Sequence, residues 1–455
     1  MNRITVRAYG ILLFVLILCA GTVFFVLEYI SDADEWVQFA GSPYAYRDGK
    51  VDAGVITDRT GLLLADLSGG KTYAGEAAIR RATLHWIGDR AGNISNPIPT
   101  TYMQQVLGHD LFNGVYSYGN AIGQLRLTLS ADIQTIAQEA LGDRKGTVAV
   151  YNYQTGEILC AVTSPTYDPE NVPDIEGDTT GAYTGAYVNR FVRSKYTPGS
   201  IFKIVTLAAA LETVPDIRQR TFTCTGSVTI GGGAVTCERA HGTQSLKDAF
   251  SNSCNCAFGE ITGIVGRENM ARYVELFGVN QSQSFDGFTT REGNYSIAEA
   301  TDWEFAWSGI GQHTDEINPC SFMTFMGAIA GDGIGVYPYV VGSVGVGSSK
   351  SYTAETQNTL RLMSRETAQT LQEYMQNNVV VKYGADHFPG LTVCAKSGTG
   401  EVGEGKRPNA MFAGFVADES CPVAFIVAVE EGGYGANTCV PILAPILEAC
   451  KALYA

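Results

Sequence analysis

The chain has 455 residues, of which 45% are hydrophobic and 17% charged, so it can bury a large core spread over about two or three domains. Its 31 basic against 46 acidic side chains leave a formal net charge of -15, which excludes the basic face a nucleic-acid surface needs to release counterions from phosphates. No nucleic acid is therefore expected among its partners.

Residues 8–27 carry no charged side chain. About 20 residues rising ~1.5 Å each match the ~30 Å hydrocarbon core of a bilayer, so a membrane-spanning helix is expected here. Arg3 and Arg7 precede it, and Glu28, Asp32, Asp34 and Glu35 follow. The positive-inside bias then puts the N-terminus in the cytoplasm and the rest of the chain outside, as a single-pass membrane protein. The apolar run is longer than the ~7 to 15 residues of a signal-peptide core and no Ala-x-Ala follows, so an anchor is expected rather than a cleaved leader. Cys19 follows Leu18 and sits inside the run, which suits a lipid-facing side chain better than a lipoprotein site.

Residues 31–125 mix short strand-like runs at 54–57 and 62–65 with Gly-rich turns, the composition of a small α+β pedestal without visible chemistry. An alternating strand at 125–129 and an amphipathic helix at 130–141, with Ile133, Ile136, Ala137, Ala140 and Leu141 on one face, mark the main boundary. The expected division is an anchor over 1–30, the pedestal over 31–125 and a third domain over 126–455. In the third, β-rich runs at 146–151 and 158–162 flank Tyr153-Gln154-Thr155-Gly156, a tight-hairpin composition. Helices are expected from Ser200 and over 246–262, 319–330 and 366–377; strands over 393–400, 412–417 and 423–429; and a last helix over 441–453. Strands at both ends around central helices give an α+β class, with one antiparallel sheet covered by helices on both faces.

Three stretches carry chemistry. In Tyr196-Thr197-Pro198-Gly199-Ser200-Ile201-Phe202-Lys203, Pro-Gly ends a loop and Ser200 opens an apolar helix, with Lys203 one turn on. A serine needs a base to take its proton, and a lysine serves if burial lowers its pKa. Spacing alone is weak evidence, because Ser68 and Lys71 match it too, across Gly69-Gly70, where both side chains cannot share a helical face. The second stretch is Ser253-Cys254-Asn255, which alone would read as a cap or turn. The third is Lys396-Ser397-Gly398-Thr399, where a strand edge without a side chain at Gly398 can approach an anionic substrate.

In this order, Ser200-x-x-Lys203, Ser253-x-Asn255 and Lys396-Ser397-Gly398 resemble the three motifs of penicillin-binding proteins and serine β-lactamases. With Asp58-Arg59-Thr60-Gly61, Leu127-Thr128-Leu129 and Gln134, Thr155-Gly156-Glu157-Ile158-Leu159 and Gly309-Ile310-Gly311-Gln312, the chain past the anchor resembles a class B penicillin-binding protein. The resemblance implies the penicillin-recognising serine transferase fold, with an all-helical lobe beside the sheet. It implies peptidoglycan D,D-transpeptidation: Ser200 attacks the penultimate D-Ala of a stem peptide, Lys203 takes its proton, and Ser253 relays a proton to the leaving D-Ala. Asn255 would hold the peptide amide, Lys396 supply positive charge, and Ser397, Gly398 and Thr399 line the carboxylate site, with backbone N–H groups of Ser200 and Thr399 as the oxyanion hole. β-Lactams would be covalent inhibitors, and the cytoplasmic membrane and a multi-span glycan polymerase of the shape, elongation, division and sporulation type would be partners. No cofactor is implied. Ala395 departs from the family's usual Gly, and Cys254 and Cys256 place thiols beside the site.

Other chemistries fit less well. The five histidines, His85, His109, His241, His313 and His387, sit in no nucleophile-elbow context, and Gly-x-Ser-x-Gly is absent. A D,D-carboxypeptidase uses the same acyl-enzyme; a class D-like β-lactamase needs neither anchor nor pedestal; and a non-enzymatic penicillin sensor usually carries several spans. Tyr118-Gly119-Asn120 resembles a β-lactamase motif but precedes Ser200 and is read as a turn. No Cys-x-x-Cys occurs, so no metal is expected. Cys224 and Cys237 flank a hairpin-like stretch equally compatible with a disulfide and with free thiols.

Overall fold

A computed structural model describes residues 3–38, 42, 45–108, 122–347 and 349–455. The anchor stretch is one helix, Arg3–Gln38, that continues past the expected limit at residue 30. Ile11, Phe14, Leu18 and Phe24 are all more than half exposed on it. None of its apolar window is buried against protein, and by length and composition the helix can cross a bilayer, which suits a membrane anchor. The C-terminal helix Gly435–Tyr454 is also apolar, but it is a core helix with Leu443, Ile446 and Leu447 buried.

The central sheet has five strands in the order Val393–Gly400, Asn409–Val416, Val423–Val429, Gly146–Asn152 and Ile158–Ser164, every neighbour antiparallel. The two ends of the third region meet where Val423–Val429 pairs with Gly146–Asn152, Ile426 opposite Ala149. Successive side chains point to opposite faces of a strand, so a continuous apolar run buries both. Val423, Phe425, Val427 and Val429 join one core cluster and Ala424, Ile426 and Ala428 the other. The first cluster is closed by helices Ala131–Leu141 and Gly435–Tyr454, through Ile133, Leu141, Leu443 and Leu447. The second is closed by Lys203–Thr213 and Pro319–Ala330, through Ile204, Leu207, Phe322 and Phe325. Each large apolar side chain buried here contributes about 1.5 to 3 kcal/mol.

A second sheet of six strands mixes chain regions: Val55–Thr57, Leu63–Asp66 and Thr72–Tyr73 lie beside Gly123–Leu127, which also pairs with Val341–Val346. Val55–Thr57 and Gly123–Leu127 are parallel, and the strand Gly123–Leu127 crosses the expected boundary at 125/126. Two polar side chains tie the helix Ala131–Leu141 to its surroundings, one to the turn after Val55–Thr57 and one to the central sheet. Asp58 accepts from the backbone of Thr60, Leu62 and, through Oδ2, Ala131. The fully buried Gln134 donates to Ala82 O and accepts from Ala161 N at 2.7 Å. The residues that carried the family resemblance in this region are thus structural clasps.

Two expectations need correction. The single helix over 246–262 is two, Leu246–Ser251 and Asn255–Val265, because Ser245 and Cys254 each cap a helix start and Ser253 between them has φ +53°. The polar, cap-forming residues compete with the helical ladder there. The helix at Ser200 begins as a tight 3₁₀ turn, Gly199–Phe202, and becomes α-helical only at Lys203. Cys224 and Cys237 carry free thiols, and no disulfide is present among the described residues. His109 and Tyr118-Gly119-Asn120 lie outside the described residues.

Candidate active site

The turn that carries Ser200 is pressed against the edge strand Val393–Gly400. Gly199 has φ +53°, a conformation that favours glycine, and a Cβ there would collide with the Thr399 carbonyl. A Cβ on Gly398 would fall 2.5 Å from Pro198 O. Both glycines are therefore required for the helix start and the strand edge to meet. Gly199 N–H donates to Gly311 O at 2.9 Å, and Gln312 Nε2 donates to Thr399 O at 3.3 Å, so the 309–312 stretch props the same junction.

Lys203, fully buried, reaches three of the motif residues at once. Its Nζ lies 3.0 Å from Ser200 Oγ, 3.1 Å from Ser253 Oγ, 2.7 Å from Ser253 O and 2.7 Å from Asn255 Oδ1. The left-handed Ser253 makes this possible by aiming both its hydroxyl and its carbonyl at one amine. From the strand side, Lys396 Nζ lies 3.0 Å from the same Ser253 Oγ and 2.9 Å from Ser397 O. Ser253 Oγ thus bridges two amines.

Among the described residues no carboxylate is hydrogen-bonded or ion-paired to either lysine. Burial holds Lys203 down to about 7, with nearby thiols, Cys237 first, working in the opposite direction. Burial also pushes Lys396 well below its ordinary value, and repulsion from Lys203 adds to that. Two ammonium ions around one hydroxyl repel, so the pair favours a state in which one amine is neutral and can accept a proton. The arrangement provides a hydroxyl nucleophile, an adjacent base, and a second hydroxyl placed to carry a proton onward.

All motif residues expected from the sequence converge: Ser200, Lys203, Ser253, Asn255 and Lys396 through the contacts above, and Ser397, Gly398 and Thr399 along the strand edge. Gly435 N–H reaches Thr399 Oγ1 at 3.4 Å. Asn255 Nδ2 donates to Thr236 O at 2.8 Å, tying the second motif to a neighbouring hairpin. Sequence reasoning missed Tyr383, whose hydroxyl lies 3.0 Å from Ser397 N and 3.1 Å from Ser397 Oγ. It sits in a π-helical turn, Val379–Tyr383, whose Val-Val-Val run looks like a strand, so no sequence signal pointed to it.

The family model for the penicillin binding protein transpeptidase domain matches residues 146–448. The chain is 28% identical over 350 residues to the peptidoglycan D,D-transpeptidase PbpA of Mycolicibacterium smegmatis, covering 71% of this chain and 70% of that protein. It is 26% identical over 349 residues to stage V sporulation protein D of Bacillus subtilis, covering 71% of this chain and 52% of that protein. Among solved structures, it is similar to the D,D-transpeptidase domain of a peptidoglycan glycosyltransferase from Eggerthella lenta, with a TM-score of 0.74, 26% identity and coverage of 88% and 98%. It is also similar to the penicillin G acyl-enzyme complex of penicillin-binding protein A from M. tuberculosis, with a TM-score of 0.71, 25% identity and coverage of 88% and 99%.

Proposed function

The chain belongs to the penicillin-binding protein transpeptidase family, and on that premise we propose that it is a peptidoglycan D,D-transpeptidase working through a Ser200 acyl-enzyme. The observation that carries the reading is Lys203 Nζ, buried and 3.0 Å from Ser200 Oγ with Ser253 Oγ on its other side.

Ser200 Oγ attacks the carbonyl of the penultimate D-Ala while Lys203, in its neutral form, takes the hydroxyl proton. The tetrahedral oxyanion is held by the N–H groups of Ser200 and Thr399, each such donor lowering the barrier by about 3 to 4 kcal/mol. The proton passes from Lys203 through Ser253 to the amine of the terminal D-Ala, which leaves as the ester forms on Ser200. Asn255 holds the peptide amide, and Ser397, Gly398 and Thr399 hold the terminal carboxylate, with Lys396 supplying positive potential. The amine of a second stem peptide then attacks the ester and restores Ser200, which completes the cross-link. A β-lactam acylates the same serine, but its opened ring stays tethered and the ester persists.

The apolar run 8–27 of the anchor helix, with Arg3 and Arg7 before it and acidic residues after, suits a single span with the N-terminus in the cytoplasm and the site outside. The region before the strand Gly123–Leu127 serves as the pedestal, joined to the rest of the chain through the six-stranded sheet, and anchor and pedestal together form the contact surface for a multi-span glycan polymerase. Recovery of such a polymerase with the full chain from native membranes is the expected result; its consistent absence overturns the partnership. For the activity, the full chain is given a stem-peptide thioester and a D-amino acid. Exchange exceeding hydrolysis is expected, and hydrolysis alone replaces the transpeptidase reading with a carboxypeptidase.

A further inference from the structure

Beside the active site, four side chains from separate elements converge. Cys224 ends the strand Thr221–Cys224, Cys237 follows Gly233–Thr236, His241 precedes Gly242–Ser245, and Cys254 caps the helix Asn255–Val265. One donor atom from each lies within 4.8 Å of all the others.

We infer that Cys224, Cys237, His241 and Cys254 form a structural zinc site whose ion fixes the Ser253-Cys254-Asn255 turn. Three sulfurs and one imidazole form the soft, four-donor set that zinc takes in closed tetrahedral sites. Two sulfurs each ~2.3 Å from a tetrahedral ion stand about 3.8 Å apart; Cys237 Sγ and Cys254 Sγ are 3.7 Å apart. The Nδ1 of His241 is buried and has no hydrogen-bond partner among the described residues, an expensive state unless something else takes its lone pair.

The surroundings suit thiolates. Asn255 N–H and Cys256 N–H point at Cys237 Sγ, at 3.1 and 3.4 Å, and Ala257 N–H points at Cys254 Sγ at 3.5 Å. These are amides at the start of an 11-residue helix, whose positive end favours negative sulfur. Cys256 Sγ donates to Val235 O at 3.6 Å and also lies 3.6 Å from Cys237 Sγ, but it is not in the group of four whose donor atoms all lie within 4.8 Å of one another.

The expectation of no metal rested on the missing Cys-x-x-Cys, and that rule is too narrow here. The short chelating pair is Cys237-x-x-x-His241, and the other two donors arrive from a strand end and a helix cap. All four protein positions are filled by donors, so the ion's task is to hold rather than to react. Cys254 is the middle residue of the Ser253-x-Asn255 motif, and Asn255 Nδ2 is bonded to Thr236, the neighbour of Cys237. An ion at this point ties the motif to the hairpin from both sides. This positioning role rests on the proposed reading of Ser253 and Asn255; the metal itself does not.

The test uses the full chain in detergent, purified reduced, with Zn²⁺ alone as the probe. Stoichiometric zinc is expected by elemental analysis, with thiolate-to-metal charge-transfer absorption once Co²⁺ replaces it. Cys224→Ala with Cys237→Ala should abolish uptake, whereas His241→Cys, which keeps four donors, should retain it. A reduced, folded chain that takes up no Zn²⁺, or the double variant binding as much as the parent, overturns the site. Stripped protein should acylate with penicillin on the order of tenfold more slowly and recover on Zn²⁺ addition. If zinc binds yet stripping leaves acylation unchanged, the positioning role is overturned, while any acylation at all keeps the transpeptidase reading distinct from it.

Discussion

The chain contains the Ser-x-x-Lys spacing twice, and the two copies are folded differently. Ser68 lies in a surface turn where Asp66 accepts from its hydroxyl at 2.7 Å, and Lys71, at φ +54°, donates to Ile87 O and Gly88 O at 2.6 and 2.9 Å. Ser200 and Lys203 share one helical turn and a contact of 3.0 Å. Burial lowers both lysines, Lys71 to about 8 and Lys203 to about 7. A depressed lysine is therefore no mark of a catalytic base by itself. What separates the pairs is the partner: carbonyl oxygens at Lys71 can only accept, whereas the hydroxyls at Lys203 can give up a proton.

The sharpest break of this comparison is at the nucleophiles. Ser200→Ala should abolish the mass gain of a bound penicillin, and Ser68→Ala should leave it intact. Labelling of the Ser200→Ala chain at another serine would end the assignment. At the bases, Lys203→Ala should slow acylation by about 10² to 10⁴, the usual reach of general base catalysis. Lys71→Ala should leave the rate alone and instead lower stability by about 1 to 3 kcal/mol, since two carbonyls lose their donor. Stopped-flow acylation and denaturant titration of both variants would separate the effects, and a Lys203→Ala chain acylating at the parental rate would refute its role as base.

The acidity of Lys203 adds a milder test. Only the neutral amine accepts a proton, so acylation should fall about tenfold per pH unit below 7 and level off above it. A profile that keeps rising to the ordinary lysine range near pH 10.5 would mean that burial does not depress this amine.

Much of this was legible in the sequence, for definable reasons. The strands Val393–Gly400 and Val423–Val429 were placed to the residue, the second because an apolar run bounded by turns leaves little choice of limits, the first because an apolar start runs into the Lys396-Ser397-Gly398 motif. The three motifs also converge as their order implied. The break at Ser253 was only half legible: Ser253-Cys254-Asn255 alone reads as a cap or turn, but 246–262 keeps helical apolar spacing through it, and the left-handed backbone decides for the turn. The zinc-ligand arrangement was hidden because its donors are contiguous in no single element. The placement of Gly123–Leu127 between Val55–Thr57 and Val341–Val346 depends on pairings more than 60 and 200 residues apart, beyond any local pattern.

Tyr383 gives the smallest and most discriminating expectation. Its ring packs edge-on against Phe412, and its buried hydroxyl has Ser397 as its partner on two atoms, the amide and the side chain. Both the amide and the hydroxyl of Ser397 donate to the Tyr383 oxygen, so the tyrosine holds that serine in place on the strand edge that faces the substrate carboxylate. Tyr383→Phe keeps the ring and removes both hydrogen bonds, each worth about 0.5 to 1.5 kcal/mol, and the loosened Ser397 should raise KM for a D-Ala-D-Ala substrate roughly two- to tenfold. The kcat should hardly move, because Ser200, Lys203 and Ser253 are untouched. An equal fall in kcat with KM constant would instead place Tyr383 in the proton relay, and the lysine pair would no longer be sufficient to explain the chemistry.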